Sequence, residues 1–367
     1  MTPNKHLKNL IPGHLIHPGD ILLDELKFRK ISQNEFAGLV GIQKSQLNEM
    51  LQGKRDFNTD VCVKVAAALD MDESIWLNLM QNYEVDKAKI NNRTQLERIA
   101  QWKEIKSKFP VPYLKKQNII TGNVEKDIPH LKHVFGTDLL SSTSQSFLEE
   151  APAHYRKSLK RAVNPHYLEV WKKLIAHKAS DLKVKKFDAK GVNKLTERLK
   201  TIFRENESVL EKSETELSAF GIKLVHLAKP DHCAVEGISF WQAENPVIGL
   251  SVTYDRIDNY AFNLFHELGH VYLHLTGDKQ NSFVDFEEKT SEYANDPLEK
   301  EANRFAQNQL IDPAAWDELL MKCFKPNDDD FIQFAEQQQV HPAIVFGRFC
   351  LQMNSFKRRT GIDRKLG

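Results

Sequence analysis

No stretch of these 367 residues is apolar for long enough to cross a membrane. The first twenty residues hold Lys5, Lys8 and three histidines where a secretory leader would carry an apolar core, so export is not expected and a cytoplasmic protein is. Cysteine is scarce and scattered. Cys62, Cys233, Cys323 and Cys350 form no C-x-x-C pair, which argues against a disulfide scaffold and suits reduced thiols. A strong charge of either sign is also missing, the net being +1, so bulk charge alone does not mark a nucleic-acid binder. There is no repeat and no low-complexity tract. With 41% apolar and 28% charged residues, the chain has material for two or three cores and no composition typical of disorder.

The most chemically specific segment runs from Phe262 to His274, FNLFHELGHVYLH. Residues four apart on an α-helix lie one above the other, so His266 and His270 can aim imidazole nitrogens at one zinc ion. Glu267 lies one step around the helix. A zinc with three protein ligands keeps its fourth position for water and lowers the pKa of that water to about 7, and a neighbouring carboxylate can then deprotonate it for attack on an amide. Two histidines and a glutamate at this spacing also occur in helices that bind nothing. Here Ala261, Phe262, Leu264, Phe265, Leu268, Val271 and Leu273 surround them, and polar groups placed among apolar residues need partners.

A third ligand must come from elsewhere. His274 is eight residues beyond His266, roughly 12 Å along the axis, which makes it a neighbour and not a ligand. Downstream, Asp296-Pro297 reads as an N-cap with proline at the first helical position. On that helix Glu299 falls about 50° from the centre of the apolar face and Glu301 about 110° away, at 100° per residue. Glu299 is also three residues from the N-cap, where a capping-box glutamate would sit, and both roles cannot be filled at once.

The pair HELGH and Glu299-Lys300-Glu301-Ala302-Asn303-Arg304-Phe305-Ala306 resembles the ImmA/IrrE-like metallopeptidases, with E-x-x-A-[DN]-x-F-A on the helix after HELGH. The resemblance implies Glu299 as third zinc ligand and Asn303 as a partner for a ligand histidine. Upstream, residues 237–242 and 246–252 read as two strands joined by a polar turn. Zinc peptidases of this general type hold an extended substrate along an edge strand, although the same two strands could merely cover the helix. Tyr254, His274 and Tyr293 are candidates for a transition-state electrophile by nearness in sequence alone.

The other end carries a second pattern. Ser32 caps a helix, Glu35 completes a capping box, Ala37 is small where helices cross, and Gly41 permits a turn. Ile42, Leu47 and Leu51 then point inward and leave Gln43, Lys44, Ser45, Asn48 and Glu49 on an outer face. Together with Gln33 at the start of the first helix, such amide, hydroxyl and lysine groups suit base edges in a major groove, while Lys54 and Arg55 after Gly53 suit phosphates. Glu49 is an acid on that face. The stretches HPGDILLDEL, ISQNEFAGLVGI and LNEMLQGKRDF resemble the HigA-type antitoxins of the Xre superfamily. That resemblance implies a five-helix bundle, operator DNA bound as a homodimer, and a neighbouring toxin as partner.

Between these ends, prolines 110, 112, 129, 152 and 165 are expected to punctuate short helices. Residues 151–212 hold 16 Lys and Arg against 7 Asp and Glu, which suits a solvated helix surface or an extension of a DNA contact. The expected architecture is mainly α with a small α+β part. It divides into an Xre-type helix-turn-helix bundle over 1–90, a helical connecting region over 91–215 and a gluzincin-like metallopeptidase with a small sheet over 216–367. The expected function is a DNA-binding regulator or antitoxin with a built-in zinc endopeptidase that cuts itself or a partner repressor. The competing reading is an antitoxin and autorepressor whose peptidase-like part is a non-catalytic metal-binding or toxin-docking scaffold.

Overall fold

The computed structural model describes residues 13, 15–136, 164–286, 296–322, 325–355 and 357–367. The chain divides into two compact units, Met1–Lys103 and Glu104–Gly367. The segment expected to form a separate connecting region, 91–215, is therefore split between them. Among the described residues no helix is long and apolar enough to cross a membrane.

The first unit is helical. Its α1 (Pro18–Arg29) starts at a capping box in which His17 Nδ1 accepts from the Gly19 N–H at 3.0 Å and Asp20 accepts from the His17 N–H at 3.2 Å. Helices α2 (Gln33–Val40) and α3 (Lys44–Leu51) form the helix-turn-helix, and Gly41 ends α2 at φ 70°, a left-handed conformation that glycine adopts without a Cβ penalty. The Ser32 hydroxyl accepts from the Glu35 N–H at 3.3 Å; among the described residues the reciprocal Glu35 bond is not made, so the expected capping box is half formed. Then follow α4 (Thr59–Leu69) and α5 (Glu73–Asn91). Leu22, Phe36, Val40, Leu47, Met50 and Trp76 fill the space between the helices.

The second unit begins within α6 (Arg93–Lys108) and continues through α7 (Val111–Lys116) and α8 (Val124–Phe135). Pro129 lies inside α8 and does not end it. As the sixth helical residue it interrupts the helical hydrogen-bond ladder only at the first turn. Pro152 lies outside the described residues. Helix α9 (Pro165–Ser180) is tied to the sheet by Trp171, whose Nε1–H donates to the Leu227 carbonyl at 3.0 Å. The amphipathic helices α10 (Val192–Glu205) and α11 (Val209–Ala219) follow.

A sheet of β1 (Lys223–His226), β2 (Val235–Gln242), β3 (Asn245–Leu250) and β4 (Ser282–Phe286) has the order β1-β3-β2-β4. The β2–β3 pair is an antiparallel hairpin, β1 runs parallel to β3, and β4 runs antiparallel to β2 with a register shift between Val235 and Gly237. Neither strand of the expected pair is an edge: β2 lies between β3 and β4, so the outer strands of the sheet are β1 and β4.

Helix α12 (Ile257–Gly269) packs on this sheet and passes directly into a π-helical stretch, His270–Leu275. Against it lie α13 (Pro297–Leu310) and α16 (Pro342–Gln352), with α14 (Pro313–Lys322) and α15 (Asp328–Gln338) completing the unit. The crossing of α12 and α13 is close. A Cβ on Gly269 would come within 3.0 Å of Ala302 Cα and 3.2 Å of Phe305 Cδ1, so the glycine sets the separation of the two helices.

Candidate metal centre

Helix α12 is buried along nearly its whole length. His266, Glu267 and His270 are each at most 1% exposed, and Glu299 on α13 is 2% exposed. Asp296 is the N-cap, accepting from the Leu298 N–H at 2.8 Å, and no capping box forms with Glu299. Released from capping, the Glu299 carboxylate turns inward, with Oε2 3.3 Å from His266 Nε2 and Oε1 3.6 Å from His270 Nε2. The two Nε2 atoms are 3.1 Å apart.

These three donor atoms match one face of a zinc tetrahedron. Metal–ligand bonds of about 2.0–2.1 Å at tetrahedral angles put the ligands about 3.3 Å from one another. Converging lone pairs of this kind, buried from water, repel unless protons or a cation lie between them. The chemistry of the set, two imidazoles and a carboxylate, suits zinc. Among the described residues these three form the one metal-capable cluster of histidine, cysteine and acid groups; buried Cys233 is not part of it.

Each histidine is held on its other nitrogen. His266 Nδ1 lies 3.2 Å from Asn303 Oδ1, one turn beyond Glu299, so the Nδ1–H donates and Nε2 is the nitrogen that faces Glu299. His270 Nδ1 lies 3.0 Å from His274 Nδ1, and His274 Nε2 lies 3.2 Å from Glu301 Oε2. His274 therefore stands behind a candidate ligand and does not enter the site. Phe283 of β4 stacks on the His270 ring at 4.2 Å between centroids. Such partners fix ring orientation and imidazole tautomer.

Glu267 is placed differently. Both carboxylate oxygens are buried without a hydrogen bond of full geometry among the described residues, with the Ser239 hydroxyl of β2 close enough to favour the charged form, an expensive arrangement unless something else occupies the space in front of them. Strand β2 makes room for it: a Cβ on Gly237 would meet Glu267 Oε1 at 2.2 Å. Burial, reinforced by the nearby Asp285, holds the Glu267 carboxyl well above its ordinary pKa.

The same crowding polarises the histidines. Burial opposes a charge on His266, but Asp285, Glu299 and Glu267 together outweigh it and push its pKa up to about 9. Burial, aided by the neighbouring His266, brings His270 down to about 4 against the pull of Glu299. Glu299 itself is raised by burial, yet hydrogen bonds to His266 and His270 prevail and hold it well below the usual carboxylate range. A buried field this uneven is what a divalent cation would neutralise.

Asp285 and Gly237 escaped the sequence reading. Both contribute through strands that meet only in the folded sheet. Of the candidate electrophiles, Tyr254 is exposed, His274 is engaged behind His270, and Tyr293 lies outside the described residues.

On the first unit, Gln43, Lys44, Ser45, Asn48 and Glu49 are exposed along α3, and Lys54 and Arg55 are exposed in the turn after it; Gln33, the first residue of α2, is half-buried. Two of these groups are already engaged. Arg55 Nε pairs with Glu49 Oε2 at 3.0 Å, and Asn48 Oδ1 accepts from Gln52 Nε2 at 3.3 Å.

Comparison with known proteins agrees with both regions. Residues 218–346 match the family described as the IrrE N-terminal-like domain, and residues 26–76 match the helix-turn-helix family. The uncharacterized HTH-type transcriptional regulator YbaQ of Escherichia coli strain K12 is 31% identical over 81 residues, which is 22% of this chain and 72% of that protein. Among solved structures, an addiction module antidote protein of the HigA family from Coxiella burnetii is 30% identical, covering 23% of this chain and 92% of its own at a TM-score of 0.22. The Pseudomonas aeruginosa antitoxin HigA, solved with the higBA promoter, is 28% identical with the same coverage and TM-score.

Proposed function

We propose, for a chain that belongs to the Xre-type helix-turn-helix transcriptional regulators at its N-terminal end and carries an IrrE N-terminal-like, metallopeptidase-type domain behind it, that it is a DNA-binding regulator with a built-in zinc endopeptidase. The substrate is the chain itself or a partner regulator. The observation that carries the peptidase half is Glu267: a scaffold needs only the three ligands, whereas a carboxylate buried beside them, with neither oxygen in a hydrogen bond of full geometry among the described residues, has a chemical use.

In this reading His266, His270 and Glu299 hold zinc. When bound, zinc acts as a Lewis acid toward the scissile carbonyl and acidifies water. Glu267 is the general base. Its oxygens take a proton from the attacking water and pass it to the leaving amide nitrogen. Asn303 holds the His266 ring through Nδ1, and Gly237 leaves Glu267 the space to face the centre.

The regulatory half uses the exposed face of α3. Gln43, Lys44, Ser45 and Asn48, with Gln33 at the start of α2, meet base edges of an operator, and Lys54 and Arg55 meet phosphates. Operator symmetry calls for a homodimer. Repression and a cut that relieves it then reside in one chain, with a toxin as a further partner of the same kind of module.

The test incubates the purified protein with the products of its neighbouring genes under zinc, beside Glu267→Gln. Cleavage of the chain or of a neighbour by the parent and not by Glu267→Gln is the expected result. A parent protein that retains zinc but cuts neither would leave the non-catalytic scaffold as the correct reading.

A further inference from the structure

Strand β4, Ser282-Phe283-Val284-Asp285-Phe286, carries one charged residue, and that residue is 1% exposed. Burying a carboxylate among apolar side chains is costly unless a positive charge meets it. The β2–β4 ladder shows where it points. Gly237 faces Asp285 and Ser239 faces Phe283, and residues directly opposite in an antiparallel pair project from the same side of the sheet, with Cβ atoms about 4.5–5.5 Å apart. That side is the one α12 covers: a Cβ on Gly237 would meet Glu267 Oε1 at 2.2 Å, and the Phe283 ring stacks on that of His270. The Asp285 carboxylate therefore stands on the sheet side of the candidate metal centre. It is not among the donor atoms of His266, His270 and Glu299 that converge there.

This placement depends on one extra residue in β2. Val235 pairs with Phe286 and the next pair is Gly237 with Asp285, so β2 takes two steps where β4 takes one. A regular ladder continued from Val235 and Phe286 would set Gly237 against Val284 and turn Asp285 to the opposite side of the sheet, because a one-residue slip exchanges the two faces. Bulges of this kind re-aim side chains beside active sites. The delivered charge is felt at the centre: burial opposes a proton on His266, and Asp285 is the strongest of the groups that favour one. A carboxylate that attracts a proton to this ring attracts a metal ion to the same place. Of the three candidate ligands only Glu299 is an acid, so it offsets one of the two charges of a divalent ion. Asp285 is in position to offset the second.

We propose that Asp285 is a positioning residue of the metal centre, which retains the divalent ion by its charge without ligating it. The role rests on the reading of His266, His270 and Glu299 as zinc ligands and deepens it.

The test measures zinc affinity of the full-length protein by chelator competition, comparing the parent with Asp285→Asn, which removes the charge at nearly constant shape, and Asp285→Glu, which keeps the charge and changes the shape. Asp285→Asn is expected to bind zinc at least about tenfold more weakly, the lower end of what groups behind metal ligands contribute, and Asp285→Glu to stay within about threefold of the parent. The visible spectrum of the cobalt-loaded protein should be the same in the parent and in Asp285→Asn, because the ligands are unchanged. Melting of the metal-free proteins separates loss of the ion from loss of the fold, and Asp285→Ser takes the place of Asp285→Asn should the latter not fold. Parental zinc affinity in the uncharged variant overturns the proposal. Equal losses in the charged and uncharged variants overturn it too, as does an altered cobalt spectrum, since Asp285 would then act through fit or as a ligand. Weakened zinc in Asp285→Asn beside a parent that cuts nothing would sink the peptidase reading and keep the role of Asp285. Cleavage by the parent with undiminished zinc affinity in Asp285→Asn would do the reverse.

Discussion

Replacing Gly237 by alanine adds one methyl group where β2 faces the candidate base. The added Cβ would stand 2.2 Å from Glu267 Oε1, 2.9 Å from Cδ and 3.0 Å from Cγ. Ordinary carbon contacts begin near 3.5 Å, so the carboxylate must withdraw by about 1 Å. Gly237 has no left-handed φ to lose, which leaves the methyl contact as the main perturbation. Displacements of about 1 Å in a reacting constellation cost on the order of 10²-fold in rate, or about 2.7 kcal/mol of transition-state stabilisation. Overpacking a filled core costs about 1–3 kcal/mol of stability, which thermal melting measures separately. The three candidate ligands are untouched. Gly237→Ala should therefore keep zinc at the parental stoichiometry by metal analysis and cut the parent's substrate about a hundredfold more slowly in single turnover. Cleavage at the parental rate by Gly237→Ala would refute the assignment of Glu267 as base, because the carboxylate would have moved without consequence.

Other perturbations separate the two halves. His17 caps α1 through Nδ1, and burial lowers its pKa from the usual 6.5; a depressed histidine pKa means that stability is full above about pH 6.5 and falls as pH drops below it. Melting of the full chain between pH 7.5 and 5 should show the helix-turn-helix unit losing stability on acidification, and His17→Gln should flatten that slope. Glu49→Ala frees Arg55 from its ion pair and should tighten DNA binding while steepening its salt dependence by up to about 0.9 for each phosphate newly neutralised; unchanged salt slopes in Glu49→Ala and Arg55→Ala would remove Arg55 from the DNA interface. Asn303→Ala removes the partner of His266 and should weaken zinc about 10–100-fold in chelator competition. Parental zinc affinity in that variant would show that Asn303 does not orient the ligand.

Much of the candidate site could be read along the chain because its parts are local. His266, Glu267 and His270 share one helix, and the 100° step placed Glu299 inward and Glu301 outward, as the burial of Glu299 bears out. The capping-box alternative for Glu299 was decided only by the fold, where the carboxylate turns to the two histidines. What escaped is non-local. Strand β4 is five residues long and pairs with β2 across more than forty positions, so neither its place at the sheet edge nor the burial of Asp285 beside His266 can be read from Ser282–Phe286 alone. Gly237 reads as an ordinary strand glycine until Glu267 lies against it. In the first unit the order of caps and turns fixed α2 and α3, whereas α5 runs on to Asn91 through a mostly charged stretch in which Val85 is exposed.

The π-helical stretch His270–Leu275 bears on how the domain can vary in length. A π-turn takes more residues per rotation than an α-turn, and such a stretch behaves as an α-helix carrying one inserted residue. Both candidate ligand histidines lie at or before its start, and Leu275, buried in the core, lies at its end. Removing the exposed Leu273 would let the segment rewind as α-helix, with His266 and His270 keeping their places on α12 and Leu275 returned to its face, and only His274 behind His270 displaced. The same deletion between His266 and His270 would swing one imidazole about 100° away from the other. Insertions and deletions among homologous domains should therefore collect just after the second histidine and be absent between the two.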